Sequence, residues 1–366
     1  MLNENNKNDS PKTPLGWNVC PNCGTKLPKI EDLKFCTSCG IDLEYLKQNK
    51  KIPPDFLERV KSYSSQTFFD QYPLRKDITV LSDEEILDTK DKKLWSTLAS
   101  IGLTILAVFV INFIAVLMVI PFIFFTPSLE SFMNSLTSPY FIVITSFAEL
   151  VLIIVPLIYI KKYLKNPSLK NRLALLGFTT KRMNSLKVVK EILIGLLFSV
   201  IGVILVLFVS FFIEAFVELV FGLEIIRDVS ASSGDVDSII LSSDYIGLVL
   251  LMLTMIFIIG TSEEILFRGF MQKGLVRTLG KRWGMLVTAL IFTLIHLIGS
   301  FLLYDIFSIA FLVSFILSFF PYLAISYLLG LLFQWRKENL VAVMIMHGFY
   351  DALTILLVFI FYSTGF

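Results

Sequence analysis

The chain of 366 residues is 55% hydrophobic and only 17% charged, and it contains 34 phenylalanines. Soluble domains carry about 45–50% apolar and about 25% charged residues, so this composition excludes an ordinary soluble protein. The formal net charge of +2 argues against a protein that binds nucleic acid through bulk electrostatics, and we expect no nucleic-acid partner. The polar N-terminus lacks the apolar core of a signal peptide.

The charged residues are concentrated in the first quarter of the chain. Residues 1–94 contain 30 of the 62 Asp, Glu, Lys and Arg residues, which leaves 32 for the other 272. So apolar a remainder requires a lipid bilayer as its solvent. We predict, in chain order, a disordered tail at 1–16, a cysteine module at 17–45, a charged linker at 46–94 and a transmembrane domain at 95–366.

All four cysteines lie in the module at 17–45. Cys20 and Cys23 form one CxxC pair, and Cys36 and Cys39 form a second, each pair being followed by glycine. Four thiolates suit the tetrahedral geometry of Zn²⁺, and a module this small would take its folding free energy from the metal. Two disulfides are the alternative, but a cytoplasmic location keeps thiols reduced. The segment resembles the zinc ribbons at the N-termini of many prokaryotic membrane proteins, which implies a closed, structural site.

Beyond residue 94 the chain consists of long apolar runs separated by polar segments. A helix of about 20 residues crosses about 30 Å of hydrocarbon, so most of these runs predict transmembrane helices. The runs cover 95–125, 138–160, 188–222, 245–270, 284–300, 303–334 and 340–364. The fifth is marginal in length, and Pro321 is a candidate break in the sixth. The sequence predicts an all-α bundle of seven transmembrane helices, or eight with that break.

The charges of the connecting segments predict the orientation. Residues 161–190 contain nine Lys or Arg and no acid, 273–282 contain four basic residues, and 336–337 are both basic. Residues 224–244 contain five acids and one Arg. The positive-inside rule places the three basic segments in the cytoplasm. The cysteine module is then cytoplasmic too, provided that the run 303–334 makes one net crossing.

Ionisable residues within the apolar runs are the candidates for function, because such groups are costly in a membrane. The only two histidines, His296 and His347, lie in such runs, and so do Glu263, Glu264 and Arg268. A lone histidine is more often a structural residue with satisfied hydrogen bonds. That alternative would here have to explain two histidines and a glutamate pair at once.

Helical spacing divides these residues into groups. Glu264 and Arg268 are four residues apart in the order that favours an ion pair. Glu263 points about 100° away from Glu264 and is therefore left for chemistry. His347 and Asp351 share one face of the last helix. We expect one shared cavity, because Glu263, His296 and His347 lie about 15–21 Å along their helices from cytoplasmic charges.

These residues form three motifs that occur in order along the chain. The motifs are Glu263-Glu264-x-x-x-Arg268, Phe292-x-x-x-His296 and His347-x-x-x-Asp351. Together they resemble the motifs of the CPBP family, which comprises the type II CAAX prenyl endopeptidases and the prokaryotic Abi or bacteriocin-processing proteins. The resemblance covers about residues 245–355, and we expect Phe292 to pack rather than react.

The resemblance implies peptide-bond hydrolysis within the membrane. It implies that Glu263, helped by His296, activates a water molecule, that His347 and Asp351 complete the site and that Arg268 braces the glutamates. The family is often described as metalloproteases, and a metal-free glutamate mechanism competes with that view. Both remain open here, because one carboxylate and two histidines could hold a catalytic Zn²⁺.

Two acids depart from the simplest interpretation. The last motif position is usually Asn in the CAAX endopeptidases, and an ionised Asp351 cannot donate a hydrogen bond to an oxyanion as Asn does. Either Asp351 is protonated or it orients His347. Glu149, in the second apolar run, lies outside the motifs, and we expect it to be a structural partner of a donor within the membrane.

The main functional hypothesis is an integral membrane protease, in a prokaryotic cell membrane, that cleaves membrane-associated or lipid-modified proteins or small peptides. The ribbon argues against farnesylated CAAX proteins as its natural substrates. One alternative is an inactive scaffold or regulator that retains the cavity. Another is a transporter whose Glu and His residues relay protons, although no inverted repeat or pair of broken helices supports it.

Overall fold

The computed structural model describes residues 20, 21, 27, 33–36, 41–49, 52, 53 and 94–364, apart from 137, 165, 181, 182, 234–238, 241 and 242. The chain divides into two compact units, Met1–Lys76 and Asp77–Phe366. The predicted tail at 1–16, most of the predicted linker at 46–94, and Cys23 and Cys39 lie outside the described residues.

The N-terminal unit contains a small buried cluster. Its members are Cys20, Leu27, Cys36, Ile41 and Leu43, each at most 4% exposed. The segments 34–36 and 41–43 pair antiparallel, because the Cys36 amide donates to the Ile41 carbonyl at 3.0 Å and the Leu43 amide to the Lys34 carbonyl at 2.8 Å. Helix α1 follows at Leu43–Asn49. One cysteine of each predicted pair is therefore buried in the same cluster, and zinc binding remains a prediction.

We expect the full-length, reduced protein to contain one tightly bound zinc ion in this unit. Replacement of Cys20 or Cys36 by Ser should remove that zinc, because a closed tetrahedral site needs all four thiolates. Elemental analysis of purified protein measures the stoichiometry. The His296→Ala variant is the matched control and should keep the ribbon zinc. Reduced protein without zinc would contradict the prediction.

In the second unit the described residues are almost all helical. The helices are α2 (Thr97–Phe125), α3 (Leu129–Leu136), α4 (Pro139–Tyr163), α5 (Leu169–Leu176), α6 (Ser185–Phe221), α7 (Leu223–Ser233), α8 (Tyr245–Leu279), α9 (Lys281–His296), α10 (Ile298–Leu303), α11 (Ile309–Trp335) and α12 (Val341–Thr364). Several begin at side-chain caps that satisfy an otherwise unpaired amide. The caps are Ser96 for α2, Asn184 for α6, Asp244 for α8 and Ser308 for α11.

Within the described part of the chain, six helices are long and apolar enough to cross a membrane. They are α2, α4, α6, α8, α11 and α12. In α2 and α6 only 11% and 17% of the most apolar window is buried inside the protein, so most of the apolar side chains of these helices face outward. Such a surface requires lipid around it. The protein is an integral membrane protein.

Six of the seven predicted spanning helices are present among the described residues. The marginal fifth run forms the 16-residue α9, which ends at His296 and is followed by the short α10. The alternative of eight helices, which needed a break at Pro321, is wrong. α11 continues through Pro321, since a helix within a membrane protein tolerates the loss of one N–H bond when its neighbours support it.

Helix α8 departs twice from regular α-helical geometry. Met255–Ile259 and Ile265–Gln272 are π-helical, and they flank the α-helical turn Gly260–Glu264. The second π segment is anchored by Trp95, whose indole N–H donates to the Phe270 carbonyl at 2.9 Å. Widened turns of this kind occur frequently at functional sites.

Helices α8 and α12 touch at two glycines. A Cβ atom at position 260 would lie 2.7 Å from the backbone nitrogen of Gly348, and one at position 348 would lie 2.5 Å from the Cα of Ile256. Only glycine permits so close an approach of two helix backbones. The contact brings the turn that contains Glu263 and Glu264 next to the turn that contains His347.

Candidate active site

A cavity of about 540 Å³ lies among helices α4, α6, α8, α9, α11 and α12. Most of its wall is apolar. Its polar and ionisable lining residues are Glu149, Glu263, His296, Tyr322, His347, Tyr350, Asp351 and Thr354. Four of the six residues that we predicted as catalytic therefore share one cavity, and the other two, Glu264 and Arg268, lie fully buried behind Glu263 and His347.

Glu264 is the centre of a buried polar network. Its Oε1 atom forms an ion pair with Arg268 at 2.9 Å and accepts a hydrogen bond from Nδ1 of His347 at 2.7 Å. Arg268 also donates to the backbone and side-chain oxygens of Ser326, at 3.2 and 3.0 Å, and its guanidinium lies 4.7 Å from the ring centre of Phe292. Glu264 thus holds His347 in place and has no accessible surface of its own.

Glu263 faces the cavity and is not part of that network. It is 8% exposed. Its Oε1 atom lies 3.7 Å from Nε2 of His296, and its Oε2 atom lies 3.8 Å from Nε2 of His347. These separations exceed the usual 2.7–3.2 Å of a direct hydrogen bond. The carboxylate thus lies at the cavity wall between two imidazoles, without a direct hydrogen bond to either.

The ring orientation of each histidine is set by its Nδ1 atom. Nδ1 of His296 lies 2.9 Å from the Phe292 carbonyl, which can only accept, so this nitrogen carries a proton. The imidazole is stacked on the Phe292 ring, with 4.2 Å between ring centres. In both histidines Nδ1 is held by a fixed oxygen, and Nε2 is presented to Glu263.

Asp351 lies on the other side of His347 from Glu264. Its Oδ2 atom is 3.5 Å from Nε2 of His347, one helical turn away on α12. This contact agrees with the interpretation that Asp351 orients His347. The role itself remains a prediction.

Glu149 differs from our prediction of a structural residue. We predicted that it would pair with a donor in the membrane, but its Oε2 atom is buried and has no hydrogen-bond partner among the described residues. It lines the same cavity as Glu263. The sequence does not show this, because Glu149 lies on α4, more than a hundred residues before the motifs.

Ser326 and Tyr322, both on α11, are not among the residues predicted from the sequence. Ser326 is 2% exposed and binds Arg268, and the Tyr322 ring lies 5.1 Å from that of His296. The only sequence signal was Pro321, the cavity-lining residue beside Tyr322. Phe292 packs against His296 and Arg268, as we expected.

Glu263, His296 and His347 are also the candidate ligands of a catalytic metal. In the part of the chain that the structure describes, no group of three or more His, Cys, Asp or Glu residues is spaced to hold a metal ion. Glu263 lies 3.7 Å from Nε2 of His296 and 3.8 Å from Nε2 of His347, and a catalytic metal held by these three residues remains a prediction.

The comparison with family models agrees with the motifs. Residues 245–353 match the model described as "Type II CAAX prenyl endopeptidase Rce1-like", which covers α8, α9, α10, α11 and the first half of α12. No similar protein was found among curated proteins or among solved structures. The recognition of this family from the three motifs is thereby confirmed for residues 245–353, which form an Rce1-like domain of the type II CAAX prenyl endopeptidase family, a family of intramembrane proteases.

Proposed function

We propose that this protein is an intramembrane endopeptidase in which Glu263 and His296 activate the attacking water. The observation that carries the proposal is the position of Glu263. Its carboxylate lies between Nε2 of His296 and Nε2 of His347, at 3.7 and 3.8 Å, in a cavity within the membrane unit. Glu264, by contrast, is already held by Arg268 and His347.

The proposed reaction begins with a water molecule held between Glu263 and His296. Glu263 takes a proton from the water while the oxygen attacks the peptide carbonyl, and the electrons of the C=O bond move onto the carbonyl oxygen. When the C=O bond forms again, the C–N bond breaks and the leaving amine takes the proton from Glu263. Glu264 and Asp351 keep His347 in position, so that its Nε2 faces the reacting groups.

We propose that the substrates are membrane-associated proteins or peptides, including lipid-modified ones. The cavity wall is mostly apolar, and a second apolar cavity of about 200 Å³ shares Val206, Tyr350, Thr354 and Val358 with it. An extended apolar space of this kind suits a hydrophobic substrate segment. The matched family carries prenylated substrates in its name.

The proposal is tested with protein reconstituted into liposomes and internally quenched peptides, in prenylated and unmodified forms. We expect cleavage of at least one form by the wild type and a large loss of rate in His296→Ala, because the water then lacks one of its two partners. If His296→Ala and His347→Ala both cleaved at the rate of the wild type, the proposal would be contradicted.

The same preparation tests metal dependence. In a variant with Cys20 and Cys36 replaced by Ser, the ribbon zinc is removed, and any zinc that remains must lie elsewhere. We expect this variant to cleave peptides at a rate close to that of the wild type without bound zinc. Residual zinc that disappears in the His296→Ala or His347→Ala background would instead identify a catalytic metal.

A further inference from the structure

The reaction proposed above creates a negative charge on the carbonyl oxygen, and this inference rests on that proposed function. A hydrogen-bond donor aimed at such an oxyanion is typically worth about 10²–10³ in kcat. Asp351 lies 3.5 Å from Nε2 of His347, and an ionised carboxylate only accepts hydrogen bonds. A donor on another side chain of the cavity would stabilise the oxyanion further.

Most polar groups near Glu263 are already engaged. Nδ1 of His347 is bound to Glu264, and its Nε2 faces Glu263 and Asp351, at 3.8 and 3.5 Å. Arg268 is fully buried behind Glu264 and donates to Ser326. Arg268 is therefore not accessible to a substrate, and Nε2 of His347 is shared between the two carboxylates.

Three hydroxyl groups line the cavity, those of Tyr322, Tyr350 and Thr354. The Thr354 hydroxyl is engaged, since it donates to the Tyr350 carbonyl at 3.0 Å. No described residue accepts a hydrogen bond from the Tyr322 hydroxyl. A phenol without an acceptor, at the wall of a catalytic cavity, is available to a substrate.

The position of Tyr322 fits this task. Its ring centre lies 5.1 Å from that of His296, at an interplanar angle of 34°. Tyr322 lines the same cavity as Glu263 and Asp351. Tyr322 is 38% exposed, so part of its surface is accessible to a bound molecule.

We propose that Tyr322 is a catalytic residue whose hydroxyl donates a hydrogen bond to the oxyanion of the tetrahedral intermediate. No proton is transferred to the oxyanion. The hydrogen bond strengthens as the carbonyl π electrons move onto oxygen, and it weakens when the C=O bond forms again and the C–N bond breaks. Tyr322 thus supplies the donor that Asp351 lacks in its ionised form.

Tyr322→Phe tests this role, because it removes one oxygen atom and keeps the ring beside His296. We expect kcat for the quenched peptide to fall about 10²–10³-fold with little change in KM. Tyr327→Phe is the matched control, since it makes the same change on the same helix at a residue that does not line the cavity. That control should cleave at the rate of the wild type.

A phosphinic analogue of the peptide provides a second measurement. Such an analogue resembles the tetrahedral intermediate, so its Ki in Tyr322→Phe should rise by about the factor by which kcat/KM falls. A Ki does not depend on the fraction of protein that folds. Unchanged kcat and Ki in Tyr322→Phe, or a loss confined to KM, would overturn the proposal.

Glu263→Gln, assayed in parallel, separates this proposal from the function on which it depends. Inactive Glu263→Gln with fully active Tyr322→Phe would overturn only the role of Tyr322. Equal cleavage by the wild type and Glu263→Gln would overturn the proposed function.

Discussion

Glu263→Gln should lower kcat for peptide cleavage by about 10²–10⁴-fold while the protein stays folded. An amide cannot take a proton from water, so the water would have to attack the peptide carbonyl without a general base. Folding should be spared because no described residue forms a hydrogen bond with the Glu263 side chain, and its two ion-pair contacts, with His296 and His347, are 3.7 and 3.8 Å long. The measurements are the initial rate of quenched-peptide cleavage in liposomes and the thermal unfolding midpoint in detergent.

Two further glutamates provide the controls for this prediction. Glu218 lies on an exposed part of α6, so Glu218→Gln should not change the rate of cleavage. Glu149→Gln changes a carboxylate in the same cavity and should retain most of the activity, because Glu149 lies outside the pair of imidazoles that flank Glu263. A Glu263→Gln variant that cleaves at the wild-type rate would show that another group activates the water.

Glu264→Gln and Arg268→Met should each destabilise the fold by about 3–5 kcal/mol. Both residues are fully buried, and removal of one partner leaves the other charged and unpaired in a medium of low dielectric constant. The double replacement should recover part of that loss, since it leaves neither charge uncompensated. The free energy of unfolding in detergent micelles, compared in a double-mutant cycle, measures the coupling between the two residues.

The exposed Arg282 on the first turn of α9 offers a matched control. Arg282→Met removes the same charge at the surface and should change the free energy of unfolding by no more than about 0.5 kcal/mol. Glu264→Gln should also reduce activity, because it weakens the hydrogen bond that holds His347. Strictly additive losses in the double variant would contradict the buried pair as the source of the stability.

The sequence allowed the membrane unit and most of the site to be predicted, for simple physical reasons. Spacing of four residues in one helix brings Glu264 to Arg268 and His347 to Asp351, and both contacts are present in the structure. Long apolar runs give spanning helices whatever their partners. These inferences use only the geometry of one helix and the cost of charge in lipid.

Features that depend on how helices pack against one another could not be predicted in this way. The π-helical turns of α8 have no sequence signature, and they change the phase of every residue that follows them. Tyr322 reaches His296 from a different helix, and its helix continues through a proline at which a break was plausible. Glu149 enters the cavity from α4, and its neighbours along the chain contain no hint of that position.

The contact between Gly260 and Gly348 sets the distance between α8 and α12 at the site. The two backbones already meet at van der Waals distance, so one added methyl group at either glycine would force α8 and α12 apart. Glu263 belongs to α8 and His347 to α12, so the distance between these two side chains would increase with the distance between the helices. A displacement of about 1 Å can cost about 10²-fold in rate, so the smallest side chains in the bundle govern the reaction rate as strictly as the ionisable ones.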